Sequence, residues 1–278
     1  MSFLLRASAP ARPVWSRLAL AASLCLPALP LVLATPAAAA AGTYAFVTEV
    51  TNASTPGNVL VIDTAAQQIT ARIPVGVNPY GVAVTPDGTE AYITNFLSGS
   101  VSVLGTSDNA ITTTVDVGGN PFGLAVNPAG TQVYVANADE LDVIDTATHA
   151  VTGTIPVGDT PVQVAFNPSG TRAYVTNSAS HDVSVVDTTT TPPTVTSVDV
   201  GVGNQPVDVA VSPSGDLAYV TVTDVDTDSG TVVAIDTTSL TITSTTAVGD
   251  DPAGVAVSPD GGRVYAANQG SGTVSLIV

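Results

Sequence analysis

From about residue 44 onward the apolar residues come in short β-branched runs broken by Gly, Pro, Asn and Asp, as in Gly81-Val82-Ala83-Val84, Ala91-Tyr92-Ile93-Thr94-Asn95 and Val183-Ser184-Val185-Val186. β-branched residues dominate these runs, as a pleated, half-buried surface prefers. No helical period occurs in this stretch. The runs recur as a larger unit, whose leading segments are Pro79–Gly88, Pro121–Gly130, Pro161–Gly170, Pro206–Gly215 and Pro252–Gly261. Their first prolines stand 42, 40, 45 and 46 residues apart. A period of about 40–45 residues with short strands is the mark of a propeller.

Each period divides into four strands. Strand a is the Gly-Val-Ala-Val type, closed by a Pro-x-Gly turn in which Pro presets φ and Gly accepts a positive one. Strand b is the Ala91–Asn95 type, and strand c the Thr-Val-Ser-Val-Ile type. Strand c ends in an Asp whose carboxylate can bond nearby backbone N–H groups, at Asp63, Asp145, Asp187 and Asp236. Strand d ends at Gly76, Gly118, Gly158, Gly201 and Gly249. One such sheet cannot bury both faces, whereas sheets arranged around an axis bury one another. The once-per-period aromatics Phe46, Tyr92, Tyr134, Tyr174, Tyr219 and Tyr265 are therefore expected to pack between blades. The expected fold class is an all-β propeller of about six four-stranded antiparallel blades over residues 42–278. The count gives 22 strands, because the repeat begins at strand b and ends at strand c. The expectation is accordingly a ring incompletely closed at its C-terminal side, or a chain shortened there.

Tyr-Val-Thr-Asn stands intact at Tyr174–Asn177, with variants at Tyr92–Asn95, Tyr134–Asn137 and Tyr265–Asn268. With the Pro-x-Gly-Val-Ala-Val segments before it and Thr-Val-Ser-Val after it, residues 44–278 resemble the YVTN β-propeller repeat proteins, including YncE-like and surface-layer-type members. Tyr219-Val-Thr-Val222 lacks the Asn, and Phe46-Val-Thr-Glu49 carries Glu in its place. The resemblance implies a propeller; it says little of activity, because propellers host many.

Before residue 44 the composition changes. Arg6, Arg12 and Arg17 precede an apolar run, Leu18–Ala34, and then the small-residue tract Ala37–Ala41. That order predicts a Sec-type signal peptide over residues 1–41 and a secreted, extracellular or periplasmic product. The whole chain carries 6 Lys+Arg and 23 Asp+Glu, a formal charge of −17. Loss of the three leader arginines would bring it to −20. Such a surface repels nucleic acid, whose affinity comes from phosphates neutralised by Lys and Arg. It repels anionic lipid as well, so neither nucleic acid nor membrane insertion is expected. The one Cys, Cys25, lies in the leader, so disulfides and thiol chemistry are not expected in the propeller.

Antiparallel strands place the d–a and b–c loops on one face and the a–b and c–d turns on the other. The second face is uniform. The first varies from blade to blade, and variable loops on a rigid scaffold are where binding concentrates. Its expected binding residues are Asn78, Tyr80, Asn120, Phe122, Asn204, Gln205, Asp208 and Asp250. The expected partner is a protein or glycan at the cell surface, and the expected role is non-catalytic. The longest b–c loop carries Asp224, Asp226 and Asp228, alternate carboxylates that suit a Ca²⁺ ion. No other cofactor is expected. His149 and His181 read as lone exposed side chains, with no triad or metal spacing around them. The enzymatic alternative is a metal-dependent, lactonase-like hydrolase with Ca²⁺ at the channel mouth, approached by Glu49, Asn95, Asn137, Asn177, Asp208 and Asn268.

Overall fold

The computed structural model describes residues 44–51, 54–201 and 203–278. The expected signal peptide lies outside them. The described residues form 22 strands in six antiparallel sheets, each made of consecutive strands. Blade one holds β1 (Tyr44–Glu49), β2 (Pro56–Asp63) and β3 (Gln68–Val77). Blade two holds β4 (Pro79–Val84), β5 (Glu90–Asn95), β6 (Ser100–Gly105) and β7 (Ala110–Asp116). Blade three holds β8 (Leu124–Val126), β9 (Gln132–Asn137), β10 (Glu140–Asp145) and β11 (Ala150–Pro156). Blade four holds β12 (Pro161–Phe166), β13 (Arg172–Asn177), β14 (Asp182–Asp187) and β15 (Thr194–Asp199). Blade five holds β16 (Asn204–Val211), β17 (Leu217–Asp224), β18 (Gly230–Asp236) and β19 (Thr241–Val248). Blade six holds β20 (Pro252–Val257), β21 (Val264–Asn268) and β22 (Thr273–Ile277).

The turn chemistry follows from the sequence. Gly88, Gly130, Gly170, Gly215 and Gly261 all adopt positive φ, between 71° and 82°, which a side chain would oppose. The strand-c aspartates cap their turns: Asp63 Oδ1 accepts the N–H groups of Ala65 and Ala66 at 2.9 and 2.8 Å, and Asp236 Oδ1 those of Thr238 and Ser239 at 3.0 and 2.7 Å. At Asp145 and Asp187 the Thr148 and Thr189 hydroxyls join the backbone donors, and these bonds hold both carboxyls below the usual range.

The core lies between blades. Tyr174 is fully buried and packs on Val209, Ala218, Val220 and Ile235 of blade five. Tyr92 does the same on Leu124, Val133, Val135 and Ile144 of blade three. Removing one such side chain from water contributes about 1.5–3 kcal/mol, and the repeat multiplies it around the axis. Blades one and six have three strands each. Tyr265, Val274 and Leu276 of blade six are 37%, 50% and 53% exposed, whereas Val101 and Val103 in the corresponding strand of blade two are 0% exposed. No helix among the described residues is long and apolar enough to cross a membrane.

Candidate functional site

The first strands of successive blades run side by side around the axis and form the wall of a central bore. Each of these strands begins at the repeated proline, and in four of the five a bulge follows it, as between Pro161 and Gln163 and between Pro206 and Val209. The bulge aims the next two residues at the bore and leaves a backbone N–H without a ladder partner.

The residue directly after the proline forms one layer: Tyr80, Phe122, Val162, Val207 and Ala253. Phe122 and Val162 are buried together with Phe96, and Tyr80 and Val207 pack against them. The Phe122 ring lies 5.3 Å from Tyr80, edge to face, and 4.6 Å from Phe96. Blades two and three thus give the bore an apolar, aromatic wall. On the far side Ala253 is small and exposed.

The second residue after the proline forms a polar layer: Gly81, Gly123, Gln163, Asp208 and Gly254. At two of these positions neighbours occupy the space a side chain would need: a Cβ on Gly81 would stand 2.6 Å from Leu124 Cδ2 and one on Gly123 2.1 Å from Gln163 Oε1, whereas one on Gly254 would make ordinary contact with Asp208 Oδ2 at 3.7 Å. Asp208 takes up the N–H groups freed by the bulges. Its Oδ1 accepts from Val209 N at 2.9 Å, and its Oδ2 accepts from Val255 N of blade six at 2.8 Å. The Gln163 side chain of blade four donates to it as well. A carboxylate has about four acceptor positions, so one remains for a ligand. Protein surrounds Asp208, yet part of its surface stays open to the bore. This enclosure disfavours the charge more than the three donors favour it, and pushes the carboxyl up to about 6. The Tyr80 phenol, enclosed beside it and facing the same carboxylate, is pushed up to about 12. It therefore remains a hydrogen-bond donor at neutral pH.

The threonine of the Tyr-Val-Thr-Asn motif pins this layer in place. Thr176 Oγ1 accepts from Gln163 N at 3.1 Å and donates to Val207 O of the next blade at 3.0 Å. Thr221 Oγ1 accepts from Asp208 N at 3.0 Å. Thr94 accepts from Gly81 N at 2.8 Å and donates to Phe122 O.

The structure sorts the expected site residues. It brings Tyr80, Phe122 and Asp208 together at the bore. Asn78 is buried and its carbonyl accepts Phe96 N at 3.0 Å. Asn120 donates to Phe96 O at 3.1 Å, and Asn204 Nδ2 donates to Val200 O at 2.8 Å. Asp250 N donates to Ser271 Oγ at 3.1 Å, a loop-to-loop tie. Gln205 lies within β16, paired with Thr223. The motif asparagines do not approach the bore. Asn95 Oδ1 accepts Gly76 N from blade one at 2.9 Å, and its amide donates to Ser102 Oγ at 2.9 Å. Asn137 likewise holds Asn120 N at 2.9 Å and donates to Asp142 at 2.8 Å. Glu49 pairs with Arg72 and Asn58 on blade one. Asn95 and Asn137 thus lock their blades to the incoming chain of the one before.

Asp224, Asp226 and Asp228 do not converge. Asp224 Oδ1 caps its own turn, accepting Asp226 N and Thr227 N at 2.9 and 3.0 Å. Among the described residues no three His, Cys, Asp or Glu side chains gather in a metal-holding group. The bore offers one carboxylate, already bonded by three N–H donors, and this donor set does not fit Ca²⁺. The histidines are not lone. His149 Nε2 lies 3.0 Å from Glu90 Oε1 of blade two, and Glu90 accepts the Tyr92 hydroxyl at 2.7 Å. His181 Nδ1 lies 2.9 Å from Asn204 O. Gln163 was missed in the sequence; its signal was there, since it and Asp208 replace the repeated Gly.

A family model described as lactonase, 7-bladed β-propeller, matches residues 141–278, from strand c of blade three to blade six. No curated protein matches the chain. Among solved structures, a putative 6-phosphogluconolactonase from Bacteroides uniformis superposes with a TM-score of 0.69 at 17% identity, covering 84% of this chain and 76% of its own. The periplasmic gluconolactonase of Pseudomonas aeruginosa gives 0.65 at 20% identity, with 81% and 74% covered. Hydrazine synthase of Kuenenia stuttgartiensis gives 0.52 at 19%, with 83% and 94% covered. The likenesses establish the propeller fold. The lactonase match, together with gluconolactonases among the similar structures, overturns the expectation of a non-catalytic protein- or glycan-binding module. It favours the lactonase-like alternative.

Proposed function

We propose that this chain is a lactonase-like hydrolase that opens small cyclic esters in the central bore, with Asp208 as general base. One observation carries the reading: the enclosed carboxylate of Asp208, pushed up to about 6, faces a donor phenol, Tyr80, across the same bore. A group of that pKa is a better proton acceptor than an ordinary carboxylate and is still ionised at neutral pH. The matched stretch 141–278 includes both Gln163 and Asp208. The YVTN-type resemblance of the repeats concerns the scaffold and agrees with this placement. A periplasmic or secreted location suits it too, since one similar structure is a periplasmic gluconolactonase.

In the mechanism, the lactone lies with its carbon skeleton against Tyr80 and Phe122 and its carbonyl oxygen at the Tyr80 hydroxyl. Asp208 removes a proton from water as the water oxygen attacks the carbonyl carbon. The Tyr80 O–H donates to the oxyanion that develops, the kind of electrostatic support that dominates acyl transfer. The ring C–O bond then breaks, and the carboxylic acid of Asp208 returns its proton to the departing alkoxide. The product is one open hydroxy acid and the base is regenerated. Gln163 holds the carboxylate in its orientation.

The test is the pH dependence of lactone opening, followed by NMR on a panel of five- and six-membered lactones. We expect kcat/KM to rise through about pH 6 and level off, as Asp208 ionises. Rates no faster than buffer across the panel would sink the reading.

A further inference from the structure

The bore has a fixed electrostatic sign. All 23 Asp and Glu lie at or beyond Glu49, against three Arg in that stretch, and the chain contains no Lys. None of the three Arg stands at the bore. Arg72 pairs with Glu49 on the outer strand of blade one, β3. Arg172 and Arg263 follow the a–b turns of blades four and six, at the face opposite the proline ends of the inner strands. Arg172 is engaged there by Thr237 O of blade five. Around the mouth of the bore the charge is negative: Asp116, Asp139, Asp159, Asp199, Asp226 and Asp250 are all exposed on or beside the d–a and b–c loops.

An anionic ligand also needs donors, and those beside the reacting groups are taken. Proteins hold phosphate with Arg or Lys, or with rows of free backbone N–H groups. Here Val209 N and Val255 N donate to Asp208. Gly81 N, Gln163 N and Asp208 N donate to the hydroxyls of Thr94, Thr176 and Thr221. Gly123 N donates to Val162 O at 2.8 Å and Val164 N to Gln163 Oε1 at 3.1 Å. The Gln163 side chain donates to Asp208. The remaining wall, Tyr80, Phe122, Val162 and Val207, is apolar apart from the Tyr80 hydroxyl. It offers a ligand apolar contact and a hydroxyl donor, with the Asp208 carboxylate beside them.

We propose, on the lactonase reading above, that the bore takes uncharged lactones and turns away lactones that carry a phosphate or a carboxylate. A phosphate ester brings a charge of about −1.5 to −2 at neutral pH. It would enter a site that already holds the Asp208 carboxylate and that no Lys or Arg among the described residues reaches. A neutral lactone gives up only the water on its carbon skeleton as it settles against Tyr80 and Phe122. Selectivity of this kind comes from the charge that is refused as much as from the contact that is made.

The experiment compares a six-membered sugar lactone with the same lactone carrying a phosphate on its exocyclic carbon, at neutral pH and at low and high salt. We expect kcat/KM for the neutral lactone to exceed that for the phosphorylated one about tenfold or more. The gap should narrow at high salt as the charges are screened. Ala253→Lys puts a cation on the small, exposed position across the bore. It should raise the ratio of phosphorylated to neutral turnover about tenfold. Titration calorimetry with the two matching lactams, which the protein would not open, separates selectivity from chemistry. A neutral lactam bound about tenfold tighter than its phosphate upholds the proposal even where neither lactone is opened, and hydrolysis alone then fails. Turnover of both lactones at equal kcat/KM would overturn the proposal and leave the lactonase reading standing. Equal binding of the two lactams, binding of neither, or an unchanged ratio in Ala253→Lys would overturn it as well.

Discussion

Two sets of polar side chains stand a few residues apart in the same blades and have opposite uses. The asparagines at the ends of the b strands of blades two, three and four, Asn95, Asn137 and Asn177, are buried. They spend their hydrogen bonds on neighbouring chain, as Asn177 does on Asp182 Oδ1 and Ser184 Oγ at 2.8 Å each. The residues two after the repeated proline are mostly glycine, and depart from it at Gln163 and Asp208 alone. Those two face the bore. A polar residue that the repeat keeps is serving the repeat. One that interrupts it, at a position where the bulge aims side chains inward, is free to serve a ligand.

The contrast can be broken experimentally at several depths. The largest effect belongs to the repeated core. Tyr174→Ala empties a fully buried site between blades four and five and should cost about 3–5 kcal/mol in a denaturant titration. A loss below 1 kcal/mol there would mean the blades do not lean on one another. Next comes the unique carboxylate. Its folded-state value is raised, so the folded state holds the proton more tightly than the unfolded one. Stability contributed by the neutral acid is therefore present at low pH and lost as pH rises from about 4 to about 6. The loss is on the order of 2 kcal/mol after allowance for the open side of the bore. Asp208→Asn should flatten that limb of the stability curve. An unchanged limb would place the pH dependence elsewhere.

A smaller effect is expected at the pins. Thr176→Val removes one hydroxyl that bridges Gln163 N and Val207 O, and should cost about 1 kcal/mol while slowing turnover through a shifted Gln163. The smallest lies at the exposed turn caps. Asp145 and Asp187 have lowered values, so their sign is opposite to that of Asp208: their contribution is present above the unfolded value and lost as pH falls. Asp187→Asn should soften the acid limb below pH 4 and leave the limb between 4 and 6 alone.

Most of the scaffold was legible in the residues. The proline spacing marks the blades, the Asp-Thr steps the capped turns, and Tyr92, Tyr134 and Tyr174 the interblade core, whereas Tyr265, of the same series, is 37% exposed. The count of strands at the two ends anticipated the three-stranded first and last blades. The site was legible only in part. Tyr80, Phe122 and Asp208 could be placed at one face because loop order fixes the face. The motif asparagines were assigned to the channel because polar residues at strand ends look available. The period of two argues otherwise: Asn95 lies three positions from Tyr92 and so points away from the next blade, toward the incoming chain of the previous one. The acidic loop 224–228 looked like a cation site from composition, but an Asp near a turn satisfies backbone N–H groups first. Nor could composition show that one carboxylate would be enclosed, since its partners Gln163 and Val255 come from the two neighbouring blades.

The most direct measurement compares lactone turnover by the parent protein and by Asp208→Asn at pH 8, with both melting transitions recorded there. The account predicts that kcat/KM falls by about 10²–10⁴, the usual contribution of a general base, in a variant that melts no lower than the parent. An Asp208→Asn protein that opens lactones as fast as the parent would contradict it.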